Sequence, residues 1–413
     1  MILFGIICLC LIFEALDQFL EFLNCKHMLR NRDKVPAGFE GQIDAWMIEK
    51  SCRYTVAKAK FSSVSELFDT GLALFFILGG ILNAYNNLVL SMGISFVQSG
   101  ALFFVGLTFA KNIVCLPFDY YGTFRIEKRN GFNTMTTALW LKDTLKKILL
   151  STGLTWTIAA LSLWIVRLLP DHWWLPVWAV LFLITLFALY LRPYLIEPLF
   201  NKFSPLEDEG LSDRIKELLS RAGLKVGSVL RMDASERTTH TNAYFSGIGG
   251  SRRIVLYDTL ISRLTHEEIL AVVAHEAGHW RGRHIIKMLA LMQTIMLIAT
   301  AAAFFTLKSD WLTRLFHIEQ DSFPAKLVLL CFVGSLLLWP LSPLIHSLSR
   351  RFEREADDFA CKLCGGGEAL SSALVKLSKD NLSNLHPHPI YAFFNSSHPP
   401  ATERVARIAA WRQ

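Results

Sequence analysis

Apolar residues are grouped along the chain in long runs, separated by polar stretches of very different length. Seven of these runs approach the roughly 20 residues that an α-helix needs to cross the hydrocarbon core of a bilayer. They cover residues 1–23, 66–89, 94–117, 147–168, 174–197, 285–307 and 326–346. The pattern predicts a mainly α-helical, polytopic membrane protein with about seven transmembrane helices.

The polar segment 198–284, between the fifth and sixth runs, has the pattern of a small α/β insert. A helical pattern that Ser212 can cap is closed by Gly223. Short strands are predicted at about 226–232, 241–246 and 253–258, with Gly247, Gly249 and Gly250 marking the turn between the last two.

These patterns divide the chain into four regions. Region 1–197 contains five runs and two basic loops, and 198–284 is the insert. Region 285–346 forms a transmembrane hairpin from the last two runs, and 347–413 is a polar C-terminal segment.

Composition supports a membrane protein. Of the 413 residues, 52% are hydrophobic and 19% are charged, whereas soluble domains are about 25% charged. The net charge is +7, but no Lys/Arg run is interleaved with aromatic residues. We therefore expect lipid-facing surfaces and cytoplasmic basic loops rather than nucleic-acid binding.

The basic residues also indicate the orientation. Lys and Arg are concentrated in 24–65 and 118–147, whereas the alternate connections at about 90–93, 169–173 and 308–325 contain few. With seven spans, the positive-inside rule places the C-terminus and both long polar segments in the cytoplasm. The N-terminus has no basic n-region or cleavage site, so we expect a retained first span. A bacterial inner membrane is favoured, with the eukaryotic ER membrane as the alternative.

The insert ends in a metal-binding pattern, His275-Glu276-Ala277-Gly278-His279. Thr265 and Glu268 form a capping-box pattern that predicts the start of a helix carrying this motif. On a helix, His275 and His279 project from one face as a pair of zinc ligands, and Glu276 is placed as a general base. The alternative is a helix whose two histidines only hydrogen-bond within a core.

A catalytic zinc site needs a third protein ligand and one open position. Two glutamates follow the seventh apolar run, Glu353 and Glu355, on a helical pattern that ends at a glycine run. Glu353 is favoured because Asp357 follows it one turn later and can accept the free N–H of a metal-bound histidine. The alternative is a solvated, charge-rich helix at the membrane surface.

Several motifs together resemble the integral-membrane type I CAAX prenyl protease family, which contains seven-span zinc metalloproteases. The resemblance covers most of the chain. It rests on 120–127, 131–133, 241–247, 253–260, the H-E-x-x-H motif, 353–360, 397–400 and 403–404. The sequence departs from the family pattern at Arg354-Glu355, where relatives often carry an aromatic residue and an amide, outside the metal set.

The resemblance implies one zinc ion per chain, with Glu353 as its third ligand and Asp357 as the partner of a ligand. It also implies that Asn242 and His398 hold the substrate backbone and the developing oxyanion. From the residues alone, His398 is one of three tail histidines. Asn242 lies in a strand that could receive an extended substrate at a sheet edge. The family further implies a water-filled chamber, which would explain the charged residues inside predicted spans, Glu14, Asp17 and Lys111.

We therefore expect a membrane-embedded zinc metalloendopeptidase that acts on a peptide or protein substrate. The family that the chain resembles removes the last three residues after a prenylated Cys. A membrane-protein quality-control protease without prenyl dependence is the alternative. Intramembrane site-two proteases place the motif within a span, which the polar flanks here disfavour. A non-enzymatic membrane protein with a structural zinc is also disfavoured, because such sites close all four positions, commonly with thiolates. A transporter is disfavoured because no pair of spans is broken at matching positions.

Overall fold

A computed structural model describes residues 1–246 and 253–411. Within this part of the chain, seven helical runs are long and apolar enough to cross a membrane, which confirms the predicted fold class. The N-terminal helices are α1 (Ile2–Arg30), α2 (Ala45–Leu78), α3 (Ile81–Ser91), α4 (Phe96–Tyr121), α5 (Thr137–Leu168), α6 (Trp174–Leu191) and α7 (Glu197–Phe200). π-Helical segments, Gly122–Glu127 and Arg192–Ile196, extend α4 and α6.

The second span differs from the predicted run at 66–89. Helix α2 begins far earlier, at its N-cap Asp44, and ends at Gly79. Gly80 has φ of 81°, a left-handed conformation that glycine adopts readily, and α3 starts directly after it. The predicted run at 66–89 therefore combined the end of α2 with the short helix α3, because hydropathy does not detect a change of chain direction.

The seventh span continues into the polar C-terminal segment. Helix α13 (Phe323–Leu338) starts and ends earlier than the predicted run at 326–346, and a 3₁₀ turn at Trp339–Leu341 links it to α14 (Ser342–Cys364). Proline at the first turn of α14 is tolerated, because the N–H that it lacks would have no helical partner there. The remaining helices are α8 (Glu209–Arg221), α9 (Asp258–Ile261), α10 (His266–Arg281), α11 (His284–Leu307), α12 (Trp311–Leu315), α13 (Phe323–Leu338), α14 (Ser342–Cys364), α15 (Glu368–Asp380), α16 (Pro389–Asn395) and α17 (Ala401–Ala409).

The insert contains a four-stranded sheet, in the order β1-β2-β4-β3, from β1 (Phe203–Pro205), β2 (Ser228–Met232), β3 (Ala243–Ser246) and β4 (Arg253–Tyr257). Strand β3 is antiparallel to β4 and forms one edge. The three-residue β1 was not predicted. The predicted cap at Ser212 is wrong, because Asp208 caps α8 by accepting the backbone N–H of Leu211. The predicted glycine turn lies outside the described residues.

Among the described residues, the largest buried cluster joins the sheet, α8, α10, α14 and α15. Helix α10 is at its centre, with Ile269 and Val273 buried against the sheet and neighbouring helices. Its Gly278 meets α14 so closely that an added Cβ would lie 2.8 Å from the Cα of Ala356. This close approach sets the distance between the H-E-x-x-H helix and the extension of the seventh span.

Candidate metal centre

Helix α10 carries the H-E-x-x-H motif, and both halves of the predicted capping box are present. The Thr265 hydroxyl accepts the Glu268 N–H, and the Glu268 carboxylate accepts the Thr265 N–H at 2.8 Å. The helix therefore starts where predicted, and residues four apart share one face. The Nε2 atoms of His275 and His279 lie 3.2 Å apart.

Helix α14 brings Glu353 against these two rings. Its carboxylate oxygens lie 3.5 Å from His275 Nε2 and 3.3 Å from His279 Nε2. A tetrahedral ion with bonds of about 2.0 Å has ligand atoms about 3.3 Å apart, and all three separations are close to that value. The donor atoms of these residues thus fit a single metal ion of the kind that prefers imidazole and carboxylate.

Asp357 lies one turn beyond Glu353 and 2.9 Å from Nδ1 of His275, so its carboxylate can accept that ring N–H. Arg404, from α17, donates two hydrogen bonds to Asp357, at 2.9 and 2.6 Å, and lies 3.5 Å from Glu353. The sequence indicated Arg404 only as part of the short motif Glu403-Arg404, and its residue type did not predict a role at the metal centre. It holds the C-terminal segment against the candidate metal ligands.

His279 has a different hydrogen-bond partner, His284, which was not predicted from the sequence. His284, at the start of α11, is buried and stacked on Phe352, and its Nδ1 lies 3.1 Å from Nδ1 of His279. Its other ring nitrogen lies 3.1 Å from the Glu355 carboxylate. With Glu355 accepting the Nε2 proton, His284 Nδ1 is free to accept the N–H of His279, which leaves His279 Nε2 as a lone pair for the metal. Glu355, the alternative candidate for the third ligand, thus contacts His284 and not the candidate metal position.

Charge around the donors favours a bound cation. Burial opposes the imidazolium form of His275, but hydrogen bonds to Asp357 and Glu353 outweigh it and raise its pKa to about 9. Burial raises the pKa of the Glu276 carboxyl above its ordinary value, which suits a residue that gains and loses a proton. Both residues line a cavity of about 350 Å³.

The other two predicted residues border the same cavity. His398 Nδ1 lies 3.0 Å from Glu353, and its side chain is 64% exposed, so it remains accessible to a substrate. Asn242 directly precedes the edge strand β3, and its carbonyl accepts the N–H of Tyr257 at 3.1 Å. The remaining tail histidines, His386 and His388, lie instead at the end of α1.

A seven-span fold that joins an H-E-x-x-H helix to a carboxylate from the last span defines the class of the protein as a membrane metalloprotease. Residues 24–202 match the family model described as CAAX prenyl protease N-terminal, five membrane helices, and 205–412 match peptidase family M48. The chain belongs to peptidase family M48, which confirms the resemblance to the CAAX prenyl proteases.

Individual relatives agree. The chain is 34% identical over 386 residues to the CAAX prenyl protease 1 homolog of Arabidopsis thaliana, covering 91% of this chain and 90% of the relative. It is 31% identical to the uncharacterized metalloprotease YhfN of Bacillus subtilis, covering 75% and 73% of the two chains. The crystal structure of S. mikatae Ste24p superposes with a TM-score of 0.90 at 31% identity, covering 98% and 97% of the two chains.

Proposed function

We propose that this membrane metalloprotease is a zinc endopeptidase that removes the last three residues after a prenylated cysteine. The observation that carries the proposal is the convergence of His275, His279 and Glu353, whose donor atoms all lie within 4.8 Å of one another. Support for the substrate comes from the names of relatives such as the CAAX prenyl protease 1 homolog of Arabidopsis thaliana.

Zinc is the metal that we propose, because two imidazoles and one carboxylate with an open fourth position are typical of catalytic zinc. When bound there, zinc would polarise the scissile carbonyl and make water more acidic. Asp357 and His284 hold the two ligand rings in the tautomer that presents Nε2 to the metal.

The protein's own residues then handle the proton and the substrate. Glu276, with its raised pKa, accepts a proton from the attacking water and passes it to the leaving amine. His398 and Asn242 border the cavity from two sides, where they donate hydrogen bonds to the developing oxyanion and to the substrate backbone. The substrate lies extended beside β3, as an added strand at the sheet edge.

We also propose that the catalytic side faces the cytoplasm. Lys and Arg are concentrated in 24–65 and 118–147, which the count of spans puts on the same side of the membrane as the insert. Because relatives occur in a plant and in a bacterium, both the eukaryotic ER membrane and the bacterial inner membrane are compatible with this fold. The bacterial inner membrane stays our prediction. Labelling of a cysteine introduced at Ser212, in sealed vesicles whose cytoplasmic face points inward, tests the side of the membrane. Labelling of that cysteine by a reagent that stays outside the vesicles would contradict the proposal.

The test of function is cleavage of a farnesylated C-a-a-X peptide beside the same peptide without the lipid. We expect the farnesylated peptide to lose its last three residues much faster, and Glu276→Gln to abolish cleavage while keeping its zinc. Rapid cleavage of both peptides would favour the quality-control alternative. Full activity of Glu276→Gln would contradict the proposed chemistry.

A further inference from the structure

The candidate metal centre lies between two cavities that share Asn242 and His279. The cytoplasm-side cavity is the one of about 350 Å³ that contains Glu276, and leucines of α15 form its far wall. The second cavity, of about 490 Å³, is lined by side chains of α6 and α11 and by strand β3. We call this second one the membrane-side cavity.

Apolar side chains supply much of the wall of the membrane-side cavity: Leu189, Phe245, Trp280, Ile285 and Ile286. Leu189 lies in the fifth span and the two isoleucines in the first turn of the sixth span, so this wall continues the lipid-facing surface of both spans. Phe245 and Trp280 meet edge-on, with ring centroids 6.2 Å apart, between that wall and the metal ligands.

Three charged side chains border this cavity, Arg192, Glu197 and Arg283, and the first two are paired with each other. Arg192 lies 3.5 Å from Glu197, and the Tyr244 hydroxyl donates to the same carboxylate at 2.7 Å. The Arg192–Glu197 pair therefore adds no net charge, and the cavity offers an apolar surface reaching from the bilayer to the metal centre, with the exposed Arg283 at its edge.

We infer that the membrane-side cavity holds the isoprenoid chain on the substrate cysteine, while the residues to be released enter the cytoplasm-side cavity. The inference rests on the proposed function. A lipid-modified cysteine arrives within the bilayer and needs an unbroken apolar path, whereas the released peptide must leave to water. The volume of about 490 Å³ is within the about 300–1,000 Å³ typical of small-ligand pockets.

The experiment compares one peptide carrying S-methyl, S-prenyl (C5), S-geranyl (C10) and S-farnesyl (C15) cysteine. Each further buried CH₂ group of a ligand strengthens binding about fourfold, so kcat/KM should rise steeply with chain length in the wild type. Ile286→Trp fills the cavity and should lower the ratio of farnesyl to S-methyl kcat/KM at least tenfold. Leu189→Trp fills it from the fifth span and should act in the same direction.

The matched control is Ile298→Trp, in the same helix but outside the cavity. Ile298 is 64% exposed and Ile286 is 61% exposed, so both substitutions place an indole on a lipid-facing surface. The control should keep the wild-type ratio. If both cavity variants also keep it, the isoprenoid lies elsewhere and the inference is wrong, whether or not membrane lipid fills the cavity. A wild-type ratio near one would instead overturn the prenyl dependence in the proposed function itself.

Discussion

Gly278 is the residue at which the H-E-x-x-H helix comes into close contact with α14, so a larger residue there should disturb the metal centre. An added Cβ would lie 2.8 Å from the Cα of Ala356, 3.0 Å from its carbonyl oxygen and 3.2 Å from its Cβ. Non-bonded carbon atoms prefer separations of at least about 3.5 Å, so Gly278→Ala must push α10 and α14 apart by about 0.7 Å. The obstacle includes backbone, which cannot rotate away as a flexible side chain would.

This separation acts on the metal centre because the histidines lie on α10 and Glu353 lies on α14. Metal sites need ligand distances within about 0.2 Å of their preferred values, so a shift of this size weakens the third bond. Overpacking of this kind costs about 1–3 kcal/mol, equivalent to about fivefold to 150-fold in zinc affinity if the strain is relieved at the ligands.

The assay is competition for zinc against a chelator of known affinity, together with kcat/KM on the farnesylated peptide. Gly334→Ala, on α13, is the control, because a Cβ there meets nothing within 4 Å. We expect the Gly278 variant to lose affinity and activity together, and the control to lose neither. Wild-type zinc affinity in Gly278→Ala would refute the view that this helix contact sets the geometry of the metal centre.

Three further predictions follow from the site and its supports. His284→Ala should weaken zinc binding about tenfold to hundredfold, as measured by chelator competition, because His279 loses the partner that fixes its tautomer; unchanged affinity would mean that the contact is incidental. The kcat/KM profile should fall on its acid side at a pH above the ordinary glutamate pKa, because Glu276 must be deprotonated and burial raises its pKa; an acid limb near pH 4 would contradict this assignment. Burial alone would raise the pKa of Glu268, but hydrogen bonds and the charge of Lys376 lower it, so this carboxylate stabilises the fold above its unfolded-state pKa and loses that contribution as pH falls through the lowered value. Glu268→Gln should therefore cost about 2 kcal/mol at neutral pH and less in acid, in urea unfolding; an equal loss at both pH values would show that the charge is not involved.

The sequence predicted those parts of the site whose members share one helix. Thr265 and Glu268 mark the start of α10, and the spacing of the two histidines then fixes their common face. Asp357 was reached in the same way, one helical turn after Glu353. Such signals are local, because helical geometry alone relates the residues.

Contacts between distant segments carried no comparable signal. Arg404 reaches Asp357 across 47 positions, and His284 reaches Glu355 across 71. Neither residue type predicts a partner, and only packing of α11 and α17 against α14 brings them together. The early start of α2 was missed for a related reason: its polar first half is stabilised by contacts with distant polar segments, such as the hydrogen bond that buried Ser51 donates to the carbonyl of Leu382.

The most direct test of the account is the zinc content of purified wild-type protein, Glu353→Gln and Glu355→Gln, measured by elemental analysis. We predict one zinc per chain in the wild type and in Glu355→Gln, and loss of most of the zinc in Glu353→Gln, because Glu353, unlike Glu355, lies against both histidine Nε2 atoms. Full zinc content in Glu353→Gln, with loss in Glu355→Gln, would contradict the proposed metal centre.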